Sequence, residues 1–145
     1  MNNEQPQPGL ALDFLGFTAS PPGGRAVILI DSEQSAYDFH RGMMRALQRA
    51  GVDHCPPWLH AYSMAGSTPD ELRRAVQVLC DREAAKNGIH LIIADGIGDF
   101  VTDVNNPEES NKVVTEMHDL AIKHDCSSSS SSTKTPRPRR RRRPA

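Results

Sequence analysis

Two carboxylates stand where catalysis could use them. Asp95 ends the most apolar run in the chain, residues 89–95 (IHLIIAD), with Gly96, Gly98 and Asp99 just behind it. Glu33 lies two residues past the end of a second such run, residues 26–31 (AVILID). An unbroken apolar run of strand length is the pattern of a parallel strand buried on both faces, and an acid at its end is delivered to the carboxyl edge of the sheet. Open α/β sheets bind ligands along that edge. Nucleotide hydrolysis needs one acid to order a divalent cation beside the phosphates and another to orient or deprotonate water, both on rigid supports. Asp95 suits the first role and Glu33 the second. For Asp31 and Asp95 the plainer reading is that of strand-end acids that cap or solvate the loops after them.

Other chemistries find less support. His40, His54, His60, His90, His118 and His124 show no ligand spacing, and the last two, six apart on one helix, cannot share a metal. Ser32 and Ser35 have no nearby base, and the Gly-x-Ser-x-Gly pattern is absent. Cys55, Cys80 and Cys126 form neither a CxxC pair nor a disulfide framework, which fits a reducing cytoplasm. Cys80 and Cys126 read as small core residues, and Met43, Met44 and Met117 as packing residues.

The elements that must position the two acids follow from periodicity and punctuation. A helix is expected from about Gln34 to Ala50, with apolar positions at Tyr37, Met43, Met44 and Leu47 and Gly51 as its stop. A short strand at residues 58–63 follows the Pro56-Pro57 break. Thr68-Pro69-Asp70-Glu71 carries the residues of a capping box and opens a second helix, which buries Leu72, Val76, Leu79 and Cys80 and ends at Asn87-Gly88. Asn106-Pro107 opens a third in the same way, with Val113, Val114, Met117, Leu120 and Ala121 as its stripe. Strands alternating with helices imply an α/β fold, a parallel sheet flanked by helices.

Composition sets the limits. The chain has 145 residues and a formal net charge of -1, but the charge is uneven. Seven of the 17 bases follow Cys126, while all 18 acids precede it, so residues 1–126 carry ten bases against 18 acids. An acidic body argues against a broad nucleic-acid-binding surface. Arg137 and Arg139 to Arg143 could contact phosphates as a basic arm, although no aromatic is interleaved to stack bases. Residues 1–9 are polar and proline-bearing, and no run approaches membrane-spanning length. The expected organisation is a disordered N-terminus (1–9), one α/β core (10–126) and a disordered Ser/Arg-rich tail (127–145), in a cytoplasmic protein with no membrane contact.

Residues 23–35 (GGRAVILIDSEQS), followed after a helix-strand-helix interval by residues 91–109 (LIIADGIGDFVTDVNNPEE), resemble the RecA-like ATPase core of the RepA-type replication proteins of plasmids and mobile elements, AAA family ATPases. The resemblance spans about Leu12 to Cys126 and implies a partial RecA-like P-loop NTPase core. It implies ATP and Mg2+ as cofactors, with Asp95 as the Walker B acid that orders magnesium and Glu33 as the catalytic glutamate. The parent activity would be ATP hydrolysis coupled to DNA unwinding. The implied partners are further copies of the chain, intact ATPase subunits, and DNA.

Two departures qualify that kinship. The phosphate-gripping loop GxxxxGK[ST] is absent, and no lysine precedes Lys86. The chain is therefore expected to start just after the P-loop and to be inactive alone, either as a fragment or as a non-catalytic partner with a degenerate ATPase fold. On the far side, the family continues with a strand of the form Ile-Ile-Val-Val-Leu-His-Glu-Asn-Pro. Codons for that strand read one base late spell Ser five times and then Thr-Lys-Thr-Pro, the residues at 128–136. The tail from about Ser128 is accordingly expected to be a frameshifted reading of that strand, and a sheet cut short on both sides to expose Ile28, Ile30 and Ile92.

Overall fold

The computed structural model describes residues 21–131. Strand β1 (Ala26–Asp31) leads to helix α1 (Ala36–Arg49), β2 (Leu59–Ser63), α2 (Pro69–Ala84) and β3 (Ile89–Asp95). A 3-10 turn (Ile97–Phe100), α3 (Pro107–Lys123) and β4 (Ser127–Ser131) complete the order. The four strands form one parallel sheet in the order β2-β1-β3-β4. The α/β architecture expected from the alternation of elements is therefore present. Residues 1–20 and 132–145, including the expected N-terminal tail and arginine run, lie outside the described residues.

The helix starts obey their local chemistry. Thr68 caps α2 through a complete capping box with Glu71, and Asn106 caps α3 by accepting from the N–H groups of Glu108 and Glu109. Pro69 and Pro107 occupy first-turn positions, where the missing N–H has no partner to lose. Helix α1 begins later than the sequence implies, because the Ser35 hydroxyl accepts from Asp38 N–H and serves as its cap.

Strand order decides where the core lies. The β1-α1-β2 connection steps one way across the sheet, and β2-α2-β3 and β3-α3-β4 step the other. Among the described residues, right-handed crossovers therefore set α2 and α3 on one face and α1 on the opposite face. Under α2 and α3, Ile28, Ile30, Ile92 and Ala94 are all 0% exposed, packed with Leu72, Val76, Cys80, Phe100, Val113 and Met117. This corrects the expectation that Ile28, Ile30 and Ile92 would be bared. On the α1 face, Leu29, Leu91 and Ile93 remain only half-buried.

Three side chains assigned to helix cores lie outside. Tyr37, Met44 and Val114 are exposed, and α1 instead turns Phe39, Met43 and Leu47 inward, four apart along one stripe. The Ser127–Ser131 stretch, expected to be disordered tail, is strand β4, in parallel register with β3 from Leu91↔Ser127 to Asp95↔Ser131. Serine carries little side-chain preference for a strand, so the backbone ladder against β3 supplies the order, and all five residues stay exposed.

The amino end of the sheet holds a buried carboxylate. Glu83, 3% exposed, accepts from Arg82 Nε (2.8 Å) and from Lys86 Nζ (3.2 Å to each oxygen), with His60 Nε2 3.4 Å away. Burial alone would push this carboxyl up, but hydrogen bonds from Arg82 and Lys86 and the charges of His60 and Lys86 outweigh it and hold it below the ordinary value of 4.5. A carboxyl depressed in the folded state binds its proton more readily when unfolded. Its stabilisation is therefore full above the unfolded value and fades as pH falls through the folded one. In urea melts, Glu83→Gln should be less stable than the parent near neutral pH, with the gap closing below the ordinary carboxylate value. A pH-independent gap would mean that the charge of Glu83 contributes nothing.

Candidate functional site

The site is framed by topology. Neighbouring strands β1 and β3 send their chains onward in opposite directions, β1 to β2 and β3 to β4. Their carboxyl ends therefore flank a topological switch point, the place where open α/β sheets bind ligands. Asp31 and Asp95 are register partners at that edge, so both loops leave the sheet at one level.

Asp31 is 2% exposed and spends its acceptor capacity on its own turn. Its Oδ1 accepts from the N–H groups of Glu33 (3.0 Å) and Gln34 (2.8 Å), and its Oδ2 from the Gln34 side-chain amide (2.6 Å). The loop-capping reading holds for this acid. By fixing residues 31–34 it determines where Glu33 leaves the backbone.

Ser32, which the sequence reading set aside, ties the two loops together. Its N–H donates to the Asp95 carbonyl (3.0 Å). Its hydroxyl lies within hydrogen-bonding distance of the carbonyls of Asp95 (3.2 Å) and Gly96 (3.1 Å) and of Asp99 Oδ2 (3.1 Å). A hydroxyl has one proton, so it serves these acceptors in turn. Asp99, given no role from sequence, is thereby a member of the site.

Gly96 makes the close approach of the loops feasible. Its φ of +92° is left-handed, and a Cβ there would stand 2.3 Å from Ser32 Oγ and 2.6 Å from Glu33 Cγ. Glu33 therefore passes directly over the residue that follows Asp95. Asp95 is half-buried, and its Oδ1 accepts from the Ser131 hydroxyl of β4. Sequence reasoning missed Ser131 because it assigned that stretch to the tail. No spacing signal marked Ser32, whereas the Asp-Gly pair at 95–96 was visible.

Beyond this junction, the loop carrying Asp103 is held by Glu109, whose carboxylate accepts from the N–H groups of Thr102 (2.7 Å) and Asp103 (3.1 Å). Those backbone hydrogen bonds hold the Glu109 carboxyl below its ordinary value. The histidines do not converge. His124 sits at the end of α3 with its Nε2 3.6 Å from Asp81 and without a hydrogen-bond partner among the described residues.

The donors at this edge are oxygen atoms. Asp95 retains a second oxygen, and magnesium commonly takes one or two carboxylates and completes its shell with water and phosphate. Among the described residues, no group of three or more His, Cys, Asp or Glu is arranged to hold a metal ion. Any ion here would thus depend on a ligand's own oxygens. The side chains gathered here among the described residues, Asp31, Ser32, Glu33, Asp95, Asp99 and Ser131, are carboxylates and hydroxyls. No described helix is long and apolar enough to cross a membrane. In comparisons with known proteins, the sequence matches no family model and no curated protein.

Proposed function

We infer that the chain is the metal-and-water side of a RecA-like nucleotide site, belonging to an ATPase of the kind that drives DNA replication in mobile elements, and that it does not turn over ATP alone. One observation carries the reading: the loop that bears Glu33 lies against Gly96, the residue after Asp95, at the switch point of a parallel sheet. Asp95 would hold a magnesium ion through its free carboxylate oxygen, and Glu33 would orient or deprotonate water. Magnesium bound there would supply charge neutralisation for transferring phosphate oxygens. Strand β4 lends support, because it lies beside β3 where such a core carries its sensor strand.

The missing part is equally specific. A P-loop lysine and a backbone cradle meet the β and γ oxygens in such enzymes, and here no lysine precedes Lys86. Without that grip, affinity for Mg-ADP should be no better than about 1 mM, roughly 4 kcal/mol of binding. Isothermal titration of the full chain should detect this weak binding, and Asp95→Asn should abolish it. Unchanged binding in Asp95→Asn would remove the role of Asp95. With radiolabelled ATP and magnesium, the chain should show no turnover, and turnover lost in Glu33→Gln would show that the absent lysine is dispensable.

A second reading, a non-catalytic subunit paired with an intact ATPase, is favoured by the outer edge of β4. Among the described residues its backbone groups have no strand partner on that side, and the strand itself carries neither charge nor proline.

A further inference from the structure

The two faces of the sheet are unequally covered, and the difference points to an occupant. Beneath α2 and α3, the inward residues of β1 and β3 reach 0% exposure at Ile28, Ile30, Ile92 and Ala94. On the opposite face the registered pairs Val27↔Leu91 and Leu29↔Ile93 form an equally apolar surface, yet Leu29, Leu91 and Ile93 stay half-buried. Handedness explains this. Only the β1-α1-β2 crossover falls on that side, so α1 covers β1 and β2, and no described helix crosses β3 and β4. Ser127 and Ser129 of β4 share the face and bring no apolar cover of their own. An all-parallel sheet is ordinarily covered on both faces.

We propose that residues 10–17 of this same chain pack against the uncovered half of that face, over Leu91 and Ile93 and beside α1. The chain outside the described residues offers one candidate of the right chemistry. Residues 10–17 (LALDFLGF) are apolar except for Asp13 and Gly16, whereas residues 132–145 contain Ser, Thr, Lys, Pro and Arg and no apolar residue before Ala145. The segment enters from the correct place, since it immediately precedes β1, whose neighbour β3 forms the uncovered surface. Reach is sufficient. Residues 22–25 form a turn closed by Arg25 N–H donating to the Pro22 carbonyl (3.0 Å), and the four steps from Phe17 to Pro21 span up to about 14 Å, while β3 lies about 5 Å and β4 about 10 Å from β1. Burying Leu12, Phe14 and Phe17 against Leu91 and Ile93 removes apolar surface from water on both sides of the contact. This assignment is independent of the chemistry proposed for Asp95 and Glu33.

The test places a photoreactive p-benzoyl-phenylalanine at position 14 of the full chain and maps the cross-links by mass spectrometry. Intramolecular links to the peptide containing Leu91 and Ile93, or to Met43 of α1, are the expected result. Links confined to other elements, or none within the chain, overturn the proposal. A covalent dimer would do the same by assigning the face to a second copy. As a second readout, the full chain carrying Leu12→Asp and Phe14→Asp should bind the dye ANS severalfold more strongly than the parent, and equal dye binding would overturn the contact.

Discussion

Replacing Gly96 with alanine should cost about 3 kcal/mol, the sum of a left-handed backbone penalty of about 1–2 kcal/mol and an overpacking cost of similar size. The backbone term arises because φ is +92°. The packing term arises because the new methyl would stand 2.3 Å from Ser32 Oγ in a buried junction, with Glu33 Cγ only 2.6 Å away. Ser32 cannot retreat without surrendering its contacts to Asp95, Gly96 and Asp99. In urea denaturation this should appear as a lower midpoint at unchanged m, equivalent to a fall in Tm of roughly 10 °C.

Two comparisons separate the terms. Gly88 has a similar φ of +79°, but its nearest neighbour would be Arg25 Nε at 3.6 Å, so Gly88→Ala should lose only the backbone term. Adding Ser32→Ala to Gly96→Ala removes the oxygen that the methyl meets, and the pair should couple by about 1 kcal/mol. If Gly96→Ala and Gly88→Ala prove equal, the two loops are not as close as 2.3 Å implies.

What the sequence disclosed of this arrangement followed from side chains that carry a strong local signal. Residues 26–31 and 89–95 announced β1 and β3 by apolar continuity, and Thr68-Pro69 and Asn106-Pro107 announced α2 and α3 by capping chemistry. Strand β4 was illegible because serine writes no periodicity, and its order comes from a ladder whose other half lies in β3. The choice of core face was illegible for a different reason. Ile28 and Leu29 are equally apolar, and only strand order reveals that two helices lie over the first and one helix over the second. Tyr37 and Met44 were misplaced because apolar residues were selected by kind, whereas the buried stripe of α1 follows spacing through Phe39, Met43 and Leu47. The acids Asp95 and Glu33 were visible as strand-end chemistry, but Ser32, Asp99 and Ser131 gain significance only once the two loops and β4 are side by side.

The course of residues 31–34 past Gly96 rests in turn on Asp31, whose removal should have the other large effect. Asp31→Ala strips the acceptor from the N–H groups of Glu33 and Gln34 and from the Gln34 amide. Gln34 is exposed and can turn its amide to water, but the two N–H groups point at the buried Asp31 and their hydrogen bonds are partly buried. Leaving them unmatched should cost about 2 kcal/mol, because water reaches these partly buried groups in part while the charge-assisted character of the lost bonds raises the figure above that of a neutral pair. Asp31→Asn keeps one oxygen for the backbone groups and offers a donor to Gln34, which swings out, so its cost should be nearer 1 kcal/mol. Hydrogen exchange distinguishes stability from placement. In Asp31→Ala the amides of Glu33 and Gln34 should lose protection beyond the global change, because the turn itself opens. If Asp31→Asn proves as damaging as Asp31→Ala, then the negative charge rather than the acceptor geometry holds the turn. In that case a cation arriving at this edge would compete with residues 31–34 for Asp31, and Glu33 would be displaced by the ligand it is meant to serve.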